Sequence, residues 1–120
     1  MSLPTFYMNS LVLLLGTAYT MEGDFIKGKL NREFGITVQV PEEDDRAEIN
    51  RIVFEELVLG KFLDCSRDYL TKVMNQFSDI EGVILGCTEL PLIIHEDDYH
   101  LPLFNTTRLH AEAAVELAYT

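Results

Sequence analysis

The sequence predicts an α/β domain with a mainly parallel sheet of about four strands flanked by helices. Short continuous apolar runs recur along the chain, as expected for strands that are buried on both faces of a parallel sheet. Segments with apolar side chains at helical spacing separate these runs, and parallel strands need such crossover connections. With 120 residues, the chain has the length of one domain with a single core.

Each of the first three predicted strands is an apolar run that ends at a residue unfavourable for strands. Gly16 follows the first run, Pro41 ends the second, and Gly82 and Gly86 bound the third. The second run also has the alternating β-branched side chains that are typical of strands. The predicted strands are residues 11–15, 36–40, 83–85 and 101–104.

The segment between the first two strands is predicted to be one helix. Thr20 is its expected N-cap, and Gly35 stands just beyond its expected end. Two further helices are expected before the third strand, and an amphipathic helix after the fourth. Their expected starts are the acidic residues 42–45, Asp64 or Ser66, and Asn105 or Thr106.

The charge and the cysteine usage limit the classes of partner. The formal net charge is −11, and the nine Lys and Arg residues are scattered, which argues against binding of nucleic acid. The apolar segment of residues 10–16 is too short to span a bilayer, so no membrane association is expected. Two cysteines without a secretory signal are typical of a cytoplasmic protein, which we expect here.

Cys87 lies just past the carboxyl end of the third predicted strand, in the stretch EGVILGCTELPLII. Open α/β sheets bind ligands outside the carboxyl ends of their strands, so a thiol at this position can meet a substrate. The alternative is a thiol that packs as a small apolar side chain. For Cys65, at the entrance of a predicted helix, a partly buried structural role is the better interpretation. Neither cysteine has CxxC spacing, so no metal site is predicted.

Three polar segments each follow a predicted strand. These are GTAYTM, GCTEL and NTTRLH, and each offers hydroxyl groups and backbone N–H groups near a helix start. If the strands are parallel, the three segments meet at one edge of the sheet. This convergence favours a functional role for Cys87.

The stretch GVILGCTELPLII resembles the second cysteine motif of the cofactor-independent aspartate/glutamate racemase superfamily. Other segments are similar, in the same order, to landmarks of its aspartate racemase branch. They are LLGTAYTMEGDFIKGKL, VPEEDDRAEINRIVFEEL, LGKF and LPLFNTTRLHAEAAVELA. The resemblance covers nearly the whole chain from Leu11 onward.

This resemblance implies interconversion of L- and D-amino acids without pyridoxal phosphate, and no cofactor is expected. In the superfamily, one cysteine removes the α-proton as a thiolate while a second donates a proton to the opposite face as a thiol. Cys87 matches the second of the pair. We expect the N–H groups around it to lower its pKa. The substrate is expected to be a small amino acid, with aspartate, glutamate and related compounds left open.

The same comparison implies further binding residues. Thr88 and the backbone after Cys87 would bind the α-carboxylate, and Glu89 would orient the thiol or the substrate ammonium group. Thr17 is a candidate hydroxyl contact, and Lys61 is a candidate for attracting a side-chain carboxylate. Three of them have a structural alternative, namely helix capping for Thr88, a dipole interaction for Glu89 and simple solvation for Lys61.

The sequence departs from the superfamily in one respect. Members have two similar α/β domains, each with one catalytic cysteine, and the first carries a Cys-Asn-Thr motif or a near relative. No such motif is present, and Cys65 is flanked by Asp64 and Ser66. We therefore expect residues 1–120 to form one domain that resembles the second, C-terminal domain, with the first domain absent. A homo-oligomer, or a chain that supplies the missing domain, would then complete the site.

Two other functions are open. A truncated, inactive racemase domain or an interaction module would keep the family sequence without turnover. A thiol hydrolase with Cys87 as nucleophile would need a histidine base, for which His95 and His100 are the candidates. His110, in the last predicted helix, is expected to have a packing or dipole role.

Overall fold

Four strands form one sheet in the computed structural model, which describes residues 10–105. The strands are β1 (Leu11–Leu15), β2 (Thr37–Gln39), β3 (Val83–Leu85) and β4 (Leu103–Asn105). Their order across the sheet is β2-β1-β3-β4, and all three neighbouring pairs are parallel. The predicted fold class is therefore confirmed, as are the positions of the strands, although β4 begins later than residue 101.

Helices connect the strands in the predicted order. Helices α1 (Ala18–Glu22) and α2 (Phe25–Phe34) lie between β1 and β2, and α3 (Glu43–Glu55) and α4 (Asp64–Asn75) lie between β2 and β3. Short 3₁₀ turns occur at Leu57–Leu59, Leu90–Leu92 and Glu96–Asp98. The amphipathic helix predicted after β4 lies outside the described residues. Among the helices described, none has the length and apolar character needed to cross a membrane.

The sheet separates two groups of buried apolar side chains, because successive residues of a strand point to opposite faces. Leu13 and Leu15 of β1 belong to the larger group, which includes residues of α3 and α4 such as Ile49 and Leu70. Val12 and Leu14 belong to the smaller group, against which Ile26 and Leu30 of α2 pack. β1 is thus buried on both faces, as its uninterrupted apolar sequence predicts.

The helix expected between Thr20 and Gly35 is instead two helices. Met21 of α1 is buried in the larger core group, whereas α2 packs against the smaller one. The two helices therefore pack against opposite faces of the sheet. The chain turns between them at Gly23, whose backbone is extended. The expected stop at Gly35 is confirmed, because this residue ends α2 in the left-handed conformation with φ 67°.

A buried carboxylate joins the end of α3 to the start of α4. Glu56 is 7% exposed, and it accepts hydrogen bonds from the buried hydroxyl of Ser66 and, at 2.9 Å, from Nη2 of Arg51. The Ser66 hydrogen bond is the main cause of a lowered pKa for Glu56, and the Arg51 hydrogen bond acts in the same direction against the effect of burial. The Glu56 carbonyl oxygen also accepts from the N–H of Lys61 at 2.8 Å. One residue therefore holds both helices and the turn that carries Lys61.

We expect Ser66→Ala to lower the free energy of unfolding by about 1–3 kcal/mol, because the buried Glu56 carboxylate loses a hydrogen-bond donor. Urea denaturation at neutral pH measures this change. Thr71→Ala is the matched control, since Thr71 is on the same helix and its hydroxyl makes no hydrogen bond to the described residues. Equal stabilities of the two variants would contradict the prediction.

The pH dependence provides a second measurement on the same variant. The pKa of Glu56 is lower in the folded chain, so its contribution to stability is present above its ordinary pKa of about 4.3 and is lost as the pH falls through the folded value. Ser66→Ala should show a smaller loss than the unmodified chain over this acidic range.

Candidate active site

The carboxyl ends of β1 and β3 are in direct contact. The register places Leu15 beside Leu85, and the N–H of Gly86 donates to the Leu15 carbonyl oxygen at 2.7 Å. A Cβ atom added to Gly86 would lie 3.0 Å from that oxygen, a tighter contact than nine in ten real Cβ atoms make. The absence of a side chain at Gly86 therefore lets the two strands stay paired up to the residue before Cys87.

Cys87 is half-buried and packs against the larger core group. Burial is the main cause that raises the pKa of its thiol. Hydrogen bonds from the backbone N–H groups of Leu90 and Glu89 act in the opposite direction, and the Glu89 carboxylate raises the pKa further. The expectation of a lowered pKa is wrong, because the N–H groups are present but desolvation outweighs them.

The two residues after Cys87 differ in their surroundings. Glu89 is half-buried at the N-cap position of the 3₁₀ turn Leu90–Leu92, and its side chain makes no capping hydrogen bond. Instead, its carboxylate contacts the Cys87 thiol. Thr88 is exposed, and its hydroxyl makes no hydrogen bond to the described residues. The pair thus places a carboxylate against the thiol and a free hydroxyl at the surface beside it.

Thr17, and not Thr20 as expected, is the N-cap residue after β1. Thr17 is the N-cap of α1, and its Oγ1 accepts from the N–H of Thr20 at 3.3 Å and donates to Thr20 Oγ1 at 3.2 Å. Thr20, the expected N-cap, lies inside the helix. The capping hydrogen bonds engage the Thr17 hydroxyl, which was the candidate for a substrate contact.

Asn50 is a residue of this edge that no motif of the sequence identifies. It lies on α3 and is half-buried, and its Oδ1 accepts from the N–H of Ala18 at 2.8 Å. The hydrogen bond attaches α3 to the first residue of α1, directly after the loop that follows β1. The sequence does contain a signal for this residue, because Asn50 is polar and lies between the apolar Ile49 and Ile52, on the face of the helix that is predicted to be buried.

Lys61 is exposed and lies in the turn between the 3₁₀ turn Leu57–Leu59 and α4. Its N–H is held by Glu56, and its charge helps to lower the pKa of that carboxyl group. Its ammonium group makes no hydrogen bond or salt bridge to residues 10–105. Neither a hydrogen bond nor a salt bridge joins Lys61 to Cys87.

The remaining thiol and histidines are separate from Cys87. Cys65 is exposed, so the expectation of a partly buried structural thiol is wrong. His95 and His100 are both exposed. The N–H of His95 binds Asp98 Oδ2 at 3.1 Å, and the His100 ring lies 4.5 Å from that of Tyr99. Neither histidine makes a hydrogen bond to Cys87, which is the contact that the hydrolase hypothesis needs, and His110 lies outside the described residues.

A cleft of about 310 Å³ lies elsewhere on the molecule, between α2 and the edge strand β2. None of the site residues predicted from the sequence lines it. Its lining residues are Asp24, Lys27, Gly28, Asn31, Arg32, Thr37 and Val38. In the described part of the chain, no group of three or more His, Cys, Asp or Glu residues is arranged to hold a metal ion.

Gly86→Ala should lower the free energy of unfolding by about 1–3 kcal/mol, because the new methyl group would press on the Leu15 carbonyl oxygen. Urea denaturation measures the loss, with Ala47→Ser on the exposed surface of α3 as the control. If Gly86→Ala is as stable as the unmodified chain, the close approach of β1 and β3 is not a constraint on the fold.

In a Cys65→Ser variant, alkylation of Cys87 should show a pH midpoint above that of a cysteine in an unstructured peptide with blocked ends in the same buffer, because burial and Glu89 favour the protonated thiol. Glu89→Gln should shift the midpoint down, whereas Glu33→Gln, which removes an exposed charge of α2, should not. A midpoint at or below that of the blocked peptide would contradict the raised pKa of Cys87.

The raised pKa also predicts a change of stability with pH. The folded chain retains the Cys87 proton to higher pH than the unfolded chain, so stability should fall as the pH rises above the ordinary cysteine value of about 8.5. Cys87→Ser should remove this part of the alkaline loss in urea denaturation.

Comparison with known proteins identifies the family. The family profile described as Asp/Glu/Hydantoin racemase matches residues 6–114. A candidate Asp/Glu racemase from Yersinia pestis superimposes with a TM-score of 0.87 and 40% sequence identity, covering 93% of this chain and 50% of that one. An aspartate racemase homologue from Pyrococcus horikoshii gives 0.84 and 39%, with coverages of 92% and 49%.

A third solved structure, the Picrophilus torridus aspartate racemase, superimposes with a TM-score of 0.69 and 28% identity, covering 93% of this chain and 46% of its own. The chain thus spans about half the length of the solved structures that it matches. The match of the family profile extends through β1 to β4 and includes Cys87. The chain belongs to the Asp/Glu/hydantoin racemase family.

Proposed function

We propose that this chain supplies one half of a cofactor-independent amino-acid racemase site of the aspartate/glutamate type, with Cys87 as the group that transfers the α-proton. One observation carries the proposal. Cys87 is half-buried at the carboxyl end of the central strand β3, with the Glu89 carboxylate against its thiol and the loop after β1 beside it. The family membership supports a small amino acid as substrate.

The protonation of Cys87 fits the role of proton donor. With its pKa raised, the resting group at neutral pH is the thiol. Donation breaks the S–H bond, forms a C–H bond at the α-carbon of the carbanion and leaves a thiolate. The N–H groups of Leu90 and Glu89 then stabilise that thiolate. In the reverse direction, the thiolate accepts the α-proton and returns to the thiol.

Inversion needs a second proton-transferring group on the opposite face of the α-carbon. Within residues 10–105 no second thiol contacts Cys87, and Cys65 is exposed elsewhere. We place the second group outside residues 10–105, either on a second copy of this domain or on the rest of the family's length. Exposed large apolar side chains, a common mark of association surfaces, support this. They include Phe54, Val58, Leu59, Phe62 and Leu63.

The carboxylate contacts are part of the same proposal. The free hydroxyl of Thr88 suits the α-carboxylate, because it is exposed beside Cys87. The Thr17 hydroxyl would have to exchange a capping hydrogen bond for a substrate. Lys61 would attract a side-chain carboxylate from its turn, which Glu56 holds. Glu89 would set the protonation of the thiol.

The test is incubation with L- and D-aspartate and L- and D-glutamate in heavy water, following both α-deuterium uptake and optical inversion. We expect deuterium uptake that is abolished in Cys87→Ser and retained in Cys65→Ser, since only the first thiol lies at the sheet edge. Inversion that rises with chain concentration would indicate a site completed by self-association.

Uptake without inversion would indicate a working base without its partner. No uptake on any of the four substrates, at any concentration of the chain, would contradict the proposal for this chain and favour an inactive domain. Uptake that persists in Cys87→Ser would assign the proton transfer to another group.

A further inference from the structure

We propose that Asn50 is a carboxylate-binding residue of this site and that its side-chain NH₂ group is the donor. The inference rests on the proposed function, because it gives a substrate carboxylate a partner at the sheet edge where Cys87 lies. Asn50 is half-buried on α3 and binds Ala18, the first residue of α1 after the loop that follows β1.

The hydrogen bond to Ala18 determines the orientation of the Asn50 amide. A backbone N–H can only donate, so the side-chain atom 2.8 Å from it must be the oxygen, Oδ1. Nδ2, with two donors, therefore lies on the other side of the amide. It has no hydrogen-bond partner among residues 10–105.

This NH₂ group is accessible to solvent. No buried side-chain nitrogen or oxygen of the described residues lacks a hydrogen-bond partner. Since Nδ2 has none, it is not one of the atoms sealed inside the protein. A pair of unengaged donors on a side chain held in place by Ala18 is ready to bind an acceptor without reorganising.

The position of Ala18 places this donor pair at the edge where Cys87 lies. Ala18 begins α1 directly after the short loop from Leu15, which pairs with Leu85 of β3. The Thr17 hydroxyl in the same loop is engaged with Thr20, so Asn50 supplies the free donors there. A neutral amide suits this place in a chain of net charge −11, because it binds a carboxylate without a buried cation.

Asn50→Asp separates binding from support of the loop. The aspartate keeps an oxygen that accepts from the N–H of Ala18 but has no donors for a carboxylate. Asn50→Leu removes both functions and should destabilise the chain as well. Ala47→Asp is the charge control, because it adds a carboxylate to the exposed surface of α3 one turn earlier without changing Asn50.

The experiment is a calorimetric titration of the full chain with L-aspartate and with succinate, which has the two carboxylates but no amino group. We expect Asn50→Asp to bind about tenfold more weakly or worse, the usual loss when a hydrogen bond to a charged group is removed. Its thermal unfolding midpoint should match that of the unmodified chain, and Ala47→Asp should bind normally. Asn50→Asp that binds as well as the unmodified chain overturns the inference, as does an unmodified chain that binds neither compound.

The two proposals fail in different ways. If Cys87→Ser abolishes deuterium uptake while Asn50→Asp binds succinate normally, the role of Asn50 is wrong and the proposed function stands. If deuterium uptake is absent or persists in Cys87→Ser while Asn50→Asp loses binding, the carboxylate site stands and the role of Cys87 is wrong.

Discussion

Gly86 donates its N–H to the carbonyl oxygen of Leu15 at 2.7 Å, at a point where even a methyl group would be crowded against that oxygen. This contact keeps β1 and β3 paired to their last residues, so the loop after β1 and the loop after β3 begin side by side. The N-cap of α1, the anchoring contact of Asn50 and the thiol of Cys87 all follow from that starting point. The chemistry of this edge therefore depends on a close approach of two backbones.

Burial of β1 on both faces is the second condition for this arrangement. Leu13 and Leu15 point to the larger core group and Val12 and Leu14 to the smaller one, so β1 cannot slip by one residue without exchanging the two sets. The register with β3 is specified in this way. The packing of the whole core therefore determines how the loop after β1, which contains Thr17, is positioned relative to Cys87.

The strands were predictable because a parallel sheet imposes a simple pattern, and the apolar run Leu11–Leu15 shows it directly. The division of the first helix was not, because Met21 and Phe25 have the four-residue spacing of one helix, although Met21 lies in the larger core group and α2, which begins at Phe25, packs against the smaller one. The position of Cys87 at the sheet edge was predictable, because Cys87 comes just past the end of a predicted strand. The direction of its pKa shift was not predictable, because a sequence reveals neighbouring N–H groups but not how much water the folded chain removes from the thiol.

The balance between burial and hydrogen bonding at Cys87 also determines what a group that completes the site must supply. Burial already raises the pKa of Cys87, and the carboxylate of Glu89 adds to the effect. A polypeptide that covered this edge would remove more water and disfavour the thiolate further, unless it brought positive charge or hydrogen-bond donors. The N–H groups of Leu90 and Glu89 supply part of that stabilisation from within the chain. A proton acceptor at Cys87 therefore requires hydrogen-bond donors or positive charge from the group that covers this edge or from the substrate ammonium group. A proton donor at Cys87 requires only the burial that the fold already gives.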